Sequence, residues 1–231
     1  MAELQLSVVL GGEFRDWLIS GFLMSLRLTA LTLVFALPLA TGTALLRLSG
    51  VAPLRALGFV LVEGVRNVPL LVHMLFWYFG APELLPDAMR RWLYEQHAEL
   101  ICALIALTLY TNAYMSEDIR SGIRSIPATQ LEAGRALGFG FLATMRRIVL
   151  PQALRVTVPP LISQTLSLWK NTSIATVIGA AELMYQAQRV ETASFRGVET
   201  FVVATSAYLT VSLLITALAA VYHHRYPVRA F

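Results

Sequence analysis

The chain has 231 residues, 57% of them hydrophobic and only 14% charged, whereas a soluble globular domain carries roughly 25% charge, so its surface suits lipid better than water. The net charge of +4 does not mark a nucleic-acid binder, because the arginines punctuate apolar stretches instead of lining one face; no nucleic-acid partner is expected. The single Cys, Cys102, excludes an internal disulfide, and its apolar neighbours make it an inert buried thiol.

A helix needs about 20 mainly apolar residues to cross the hydrocarbon core, and five runs of that order follow along the chain. Glu3, Glu13 and Asp16 precede the first of them, so no cleavable leader is expected. The first run extends from Trp17 to Leu46 with Arg27 as its only charge, and the second from Ala56 to Gly80 with Glu63, Arg66 and Asn67 near its middle. The third covers Leu100 to Ser116, the fourth Val156 to Ala181 with Lys170 inside it, and the fifth Thr200 to Tyr222 without a charge. The reading is an all-α membrane protein of five transmembrane helices, forming a single domain over residues 1–231 with no internal repeat.

Between the third and fourth runs lies a polar loop at about residues 121–155. Ser125 is predicted to cap a helix with Pro127 in its first turn, Glu132 and Arg135 sit one turn apart as a potential pair, and Gly138 supplies a C-terminal stop. A second helical stretch runs from Phe141 to Leu150, and Pro151 is predicted to break it. Leu131, Ala133, Ala136, Leu137, Phe139 and Phe141 give this loop an apolar side that favours a partner over water.

The arginines orient the protein. Arg47, Arg55, Arg120, Arg124, Arg135, Arg146, Arg147, Arg155, Arg225 and Arg229 fall on one side; Arg15, Arg90, Arg91, Arg189 and Arg196 fall on the other, where ten acidic residues, including Glu182 and Glu199, outnumber them. The positive-inside rule places the C-terminus and the central loop in the cytoplasm and the N-terminus outside. Five spans are few to enclose a solute path, so a second copy or a related subunit is expected across it.

The segment Glu132-Ala133-Gly134, then Gly138, then Ile148-Val149-Leu150-Pro151 resembles the EAA loop of the permeases of polar-amino-acid ABC importers: Glu-Ala-Ala, three residues, Gly, nine residues, Ile-x-Leu-Pro. The one departure is Gly134 for the second Ala, which loosens a helix by about 1 kcal/mol without adding bulk. The resemblance continues through Arg66-Asn67-Val68-Pro69-Leu70-Leu71-Val72, Trp169-Lys170-Asn171-Thr172-Ser173, Val177-Ile178-Gly179 and Gln186-Ala187-Gln188. It implies the type I ABC importer permease fold in a bacterial inner membrane. It also implies two ATPase subunits holding ATP-Mg, a second permease and an extracytoplasmic amino-acid-binding protein. In that family the loop is a coupling helix seated on the ATPase subunit, which assigns the role to Glu132, Ala133, Gly134, Arg135, Gly138, Ile148, Leu150 and Pro151.

Polar groups at membrane depth face a cavity or another subunit because exposure to hydrocarbon costs several kcal/mol. Glu63 and Arg66 either neutralise each other or leave Arg66 and Asn67 to meet a substrate carboxylate, with Pro69 freeing a backbone carbonyl nearby. Lys170, the only lysine, either snorkels or pairs with a neighbouring helix, or it faces the path. Asn112, Gln164, Asn171, Thr172 and Ser173 serve interhelical hydrogen bonds or the solute. The four His residues have no metal-ligand spacing.

The chain has no phosphate-binding Gly-x-x-x-x-Gly-Lys-Ser/Thr loop, so it is expected to lack cofactors and catalysis of its own, with ATP hydrolysed by a partner. An ion-coupled secondary amino-acid transporter is the alternative, disfavoured by five spans, no repeat, and Glu63 as the one clear buried acid. A membrane enzyme would need paired carboxylates, a Ser/His arrangement or a metal cluster. Arg66-Asn67-Val68-Pro69, Trp77-Tyr78 and Pro82-Glu83-Leu84-Leu85-Pro86 look most like the glutamate/aspartate branch, and a buried arginine suits an acidic solute.

Overall fold

The computed structural model describes residues 5–227; Glu3 and Arg229, both counted in the charge asymmetry, lie outside them. After a single turn, Leu6–Val9, the helices are α1 (Gly12–Leu48), α2 (Ala52–Arg66), α3 (Leu70–Leu75), α4 (Asp87–Glu95), α5 (Ala98–Arg124), α6 (Ala128–Ala136), α7 (Phe141–Thr144), α8 (Leu150–Asn171), α9 (Leu183–Ser194) and α10 (Gly197–Arg225). The described residues contain no strand.

By length and composition α1, α5 and α10 can each cross a membrane. The predicted second span is not one rod: Ala52–Arg66 and Leu70–Leu84 pass as a pair bent by 100°. Pro69 is the cause, since it has no N–H and pushes Val68 out of the helical region. Beyond it α3 widens into a π turn, Phe76–Gly80, and tightens into a 3-10 turn, Ala81–Leu84. The fourth predicted span, Val156 to Ala181, is only partly matched: α8 ends at Asn171 and a 3-10 turn, Thr172–Ile178, follows; the 22 residues of α8 reach about 33 Å at 1.5 Å each. It is less apolar than α1, α5 and α10, because one of its faces lines a polar groove.

α5 is the central post. Its small residues Ala98, Ala103 and Ala106, with Cys102 and Leu107, are buried against Leu70 and Met74 of α3 and Leu168 of α8, as close helix packing in lipid requires. A second cluster joins Leu18 of α1, Leu183, Ala187 and Val190 of α9, and Ala204 of α10. Between them sits Glu182, fully buried, so it is an internal group and not one of the solvated acids of the outer side. Its carboxylate accepts from Ser25 Oγ (3.2 Å), Tyr208 Oη (2.9 Å) and the amides of Met184 and Tyr185 (2.9 Å each). One side chain thereby caps α9 and ties it to α1 and α10.

Candidate functional site

The break at Pro69 organises one site. In an unbroken helix the carbonyl of Val65 would accept from residue 69, which has no N–H to give. The freed carbonyl expected from the sequence is indeed there, but it is occupied: Val68 N donates at 3.3 Å, and His73 Nε2 lies 3.1 Å away. His73 stacks edge-on to Tyr110 of α5, with ring centroids 6.1 Å apart. Tyr110 Oη donates to Tyr114 Oη at 3.3 Å, and the Arg66 guanidinium lies 5.2 Å over the Tyr114 ring. A chain of contacts thus runs from the break to the centre of the bundle.

It ends in a polar groove of about 260 Å³ lined by Tyr110, Thr111 and Tyr114 of α5 and by Gln164, Ser167 and Asn171 of α8. Such a cleft between spans is out of place against hydrocarbon and fits a polar solute with hydrogen-bonding groups. Among the described residues there is no group of side chains able to hold a metal ion.

The predicted path residues fall into two sets. Asn171 lines the groove, whereas Arg66 is exposed and not the buried arginine expected from the sequence, touching the groove only through the Tyr114 ring. Asn67 is exposed at the break, its amide donating to the Glu63 carbonyl at 2.8 Å and carboxylate at 3.3 Å. Asn112 is buried on the other side of α5, accepting from Thr43 Oγ1 of α1 at 3.1 Å. Thr172 is buried with its hydroxyl on the Trp169 carbonyl (2.8 Å), and Ser173 donates to the Lys170 carbonyl (2.7 Å). Lys170 is exposed and forms no ion pair among the described residues. Gln164, open from the sequence to interhelical bonds or the solute, lines the groove, together with Tyr110, Thr111, Tyr114 and Ser167, which no sequence motif singled out. The signal was present: positions 110, 111 and 114, and 164, 167 and 171, each repeat at helical spacing.

The proposed Glu63–Arg66 pair does not form. Glu63 is 3.6 Å from Arg47, the residue that follows the first run, and Arg47 is 2.7 Å from Glu117. Glu117 also holds Arg120 at 2.7 Å. The reason is geometric: α1, α2 and α5 converge here, and a guanidinium from a facing helix reaches Glu63 while Arg66 points to Tyr114. Glu63 is one third exposed, so it is not a buried acid; among the described residues Glu182 and Glu199 are.

The central loop forms a second assembly. Ser125 does not cap α6. Its hydroxyl donates to the Gly122 carbonyl at 2.8 Å and closes α5 instead, while α6 starts after Pro127 without a side-chain cap. Gly138 does stop α6: its φ is +80°, Gly138 N donates to Arg135 O at 2.9 Å and Phe139 N to Gly134 O at 3.0 Å, the paired bonds of a Schellman end. Gly134 is not a loose substitute for Ala. A Cβ there would collide with the Cγ2 of buried Thr144 and lie 2.7 Å from its Oγ1, so the missing methyl is what lets α6 lie against α7.

Pro151 does not break the helix. Met145–Val149 form a π turn that leads straight into α8, with Pro151 in its first turn, where a missing N–H and a fixed φ are tolerated. Ile126, Val149 and Ala153 are buried together beneath the loop, with Ile123, Leu131 and Met145 packed on them. Gln152 Nε2 donates to Gln130 Oε1 at 3.2 Å. Glu132 and Arg135 are both exposed and do not pair with each other. Ala133, Ala136, Leu137, Phe141 and Leu142 are all exposed, Leu137 by 70% and Leu142 by 79%.

The family described as "binding-protein-dependent transport system inner membrane component" matches residues 33–227. The chain is 35% identical over 195 residues to the probable glutamine ABC transporter permease protein GlnM of Bacillus subtilis, covering 84% of this chain and 85% of that one. It is 34% identical over 209 residues to the glutamate/aspartate import permease protein GltJ of Escherichia coli K12, covering 87% and 84%. Among solved structures, an amino acid ABC transporter crystallised with histidines superposes with a TM-score of 0.84 at 27% identity over 97% of this chain and 99% of that one.

Proposed function

Because the chain belongs to the family of binding-protein-dependent transport system inner membrane components, we propose that it is the permease subunit of an ATP-driven importer of polar amino acids, with an acidic amino acid as cargo. The observation that carries this is the groove between α5 and α8, which offers hydroxyls and amides with the Arg66 guanidinium against its Tyr114 wall. A cation and neutral donors suit a solute with two carboxylates and one ammonium. Relatives named for glutamine and for glutamate/aspartate match almost equally well, so the preference for acid rests on Arg66.

In this reading α6 and its apolar ridge seat on an ATPase subunit. Two such subunits, holding ATP-Mg, hydrolyse nucleotide; the permease itself is not an enzyme. A second permease, identical or homologous, completes the path, and a binding protein delivers solute on the opposite face. The protein lies in the bacterial inner membrane, multi-pass, with its N-terminus outside and its C-terminus and central loop in the cytoplasm. Closure of the ATPase pair pushes the ridge, and the π turn and α8 carry that push directly to the groove.

The test is purification of the tagged chain from its native membranes in mild detergent, reconstitution of whatever accompanies it, and uptake of labelled glutamate, aspartate and glutamine. Co-purification of a phosphate-loop ATPase and ATP-dependent uptake support the reading. Recovery of the chain alone with intact, ion-driven uptake overturns it in favour of a secondary transporter.

A further inference from the structure

A second cavity, of about 550 Å³, lies at the arginine-rich end of the bundle, away from the polar groove. Its walls carry Arg47 from the end of α1, Arg55 from the start of α2, and Arg120 and Arg124 from the end of α5. Two of these charges are answered: Arg47 and Arg120 both engage Glu117 at 2.7 Å, with Glu63 3.6 Å from Arg47. Arg55 and Arg124 are exposed and have no ion-pair partner among the described residues. The start of α2 adds to this excess. Val51 N donates to Ser49 Oγ at 3.0 Å, but no side chain caps the helix and Pro53 follows in its first turn. Ala52, the first residue of this 15-residue helix, lines the cavity, so the positive end of the helix lies at its margin.

The remaining wall is apolar. Phe59 and Val60 of α2 line the cavity and are 53% and 65% exposed, with the Arg47 guanidinium 5.4 Å over the Phe59 ring. Leu57 on the same helix is 51% exposed. A site with surplus guanidinium groups and an oriented helix end at one margin, and exposed hydrocarbon at the other, matches an amphiphile with an anionic head.

The geometry points to a binding site for the phosphate head of an anionic glycerophospholipid, clasped by Arg55 and Arg124, with its acyl chains laid along the Leu57, Phe59 and Val60 face of α2. Arg47 and Arg120 form the floor of this site and are held in place by Glu117. A soluble phosphate meets the same guanidinium groups but gains nothing from the apolar wall, so a lipid is retained where the ion is not.

Native mass spectrometry of the protein with its co-purifying subunits, delipidated in detergent and titrated with phosphatidylglycerol, phosphatidylcholine or sodium phosphate, tests this. Phosphatidylglycerol is expected to be retained about tenfold over phosphatidylcholine, as two uncompensated arginines at a membrane surface imply. The double variant Arg55→Gln/Arg124→Gln should lose that preference while keeping wild-type assembly, and Arg91→Gln on α4 should keep it. Equal retention of both lipids, or displacement of phosphatidylglycerol by equimolar phosphate, overturns the site. So does a disulfide between two copies through Val60→Cys, since the cavity would then be covered by protein; native Cys102 is buried and does not interfere.

Discussion

The imidazole Nε2 of His73 sits 3.1 Å from the carbonyl oxygen of Val65, spanning the chain break that Pro69 creates. The imidazole serves as a replacement donor for an amide that proline lacks, and it also fixes the angle at which α3 leaves α2. His73→Ala is expected to lower stability by about 0.5–1.5 kcal/mol, the net contribution of one hydrogen bond, because Val68 N still donates to the same carbonyl; this is read as a lower unfolding temperature in detergent. His73→Gln, which keeps a donor, should recover part of it, whereas equal losses in both variants would show that the bond contributes little.

Gly134→Ala should damage the central loop even though the family pattern has Ala there, because the new methyl meets Thr144. Overpacking of this kind costs about 1–3 kcal/mol. Adding Thr144→Ala removes the colliding atoms, so the double variant should regain transport. A single variant with wild-type uptake would mean that α6 and α7 separate freely.

At the groove, Arg66→Gln is expected to cut uptake of glutamate and aspartate about tenfold or more, the scale of one charge-assisted contact to a carboxylate, with less effect on glutamine. Tyr114→Phe tests the adjoining hydroxyl. Protein abundance in the membrane, measured in parallel, separates transport from folding. A uniform loss across all three amino acids would remove the argument for an acidic cargo.

Leu137→Asp and Leu142→Asp place charge on a ridge that is exposed in the isolated chain. Each should leave the unfolding temperature within a degree or two, since surface substitutions are typically worth less than about 0.5 kcal/mol, yet abolish recovery of the ATPase in a pull-down. If ATPase recovery is unchanged, the ridge is not the contact.

Glu182→Ala leaves Ser25, Tyr208 and two amides without an acceptor. A buried donor left without an acceptor costs about 1–3 kcal/mol, and four are left here, so the variant should be found mostly as degraded or aggregated protein. Glu182→Gln, which can still accept, should survive better. Ser25→Ala alone removes one of four donors and should have the smallest effect.

The sequence by itself determined the membrane class, the helical spans and the central loop, because hydrocarbon thickness and backbone satisfaction leave only long apolar helices, and because Gly138 and Pro69 act through their own backbone geometry wherever they stand. Tertiary structure alone decided which polar groups meet. Glu63 takes Arg47 from a helix sixteen residues upstream instead of Arg66 one turn away, Asn112 turns to α1 while Tyr110 and Tyr114 turn to the groove, and Glu182 is drawn from a nominal surface into the core. Local spacing gives the order of side chains around one helix, but it does not say which neighbour stands opposite. Partners of buried charges and the lining of a groove are set by the facing helix.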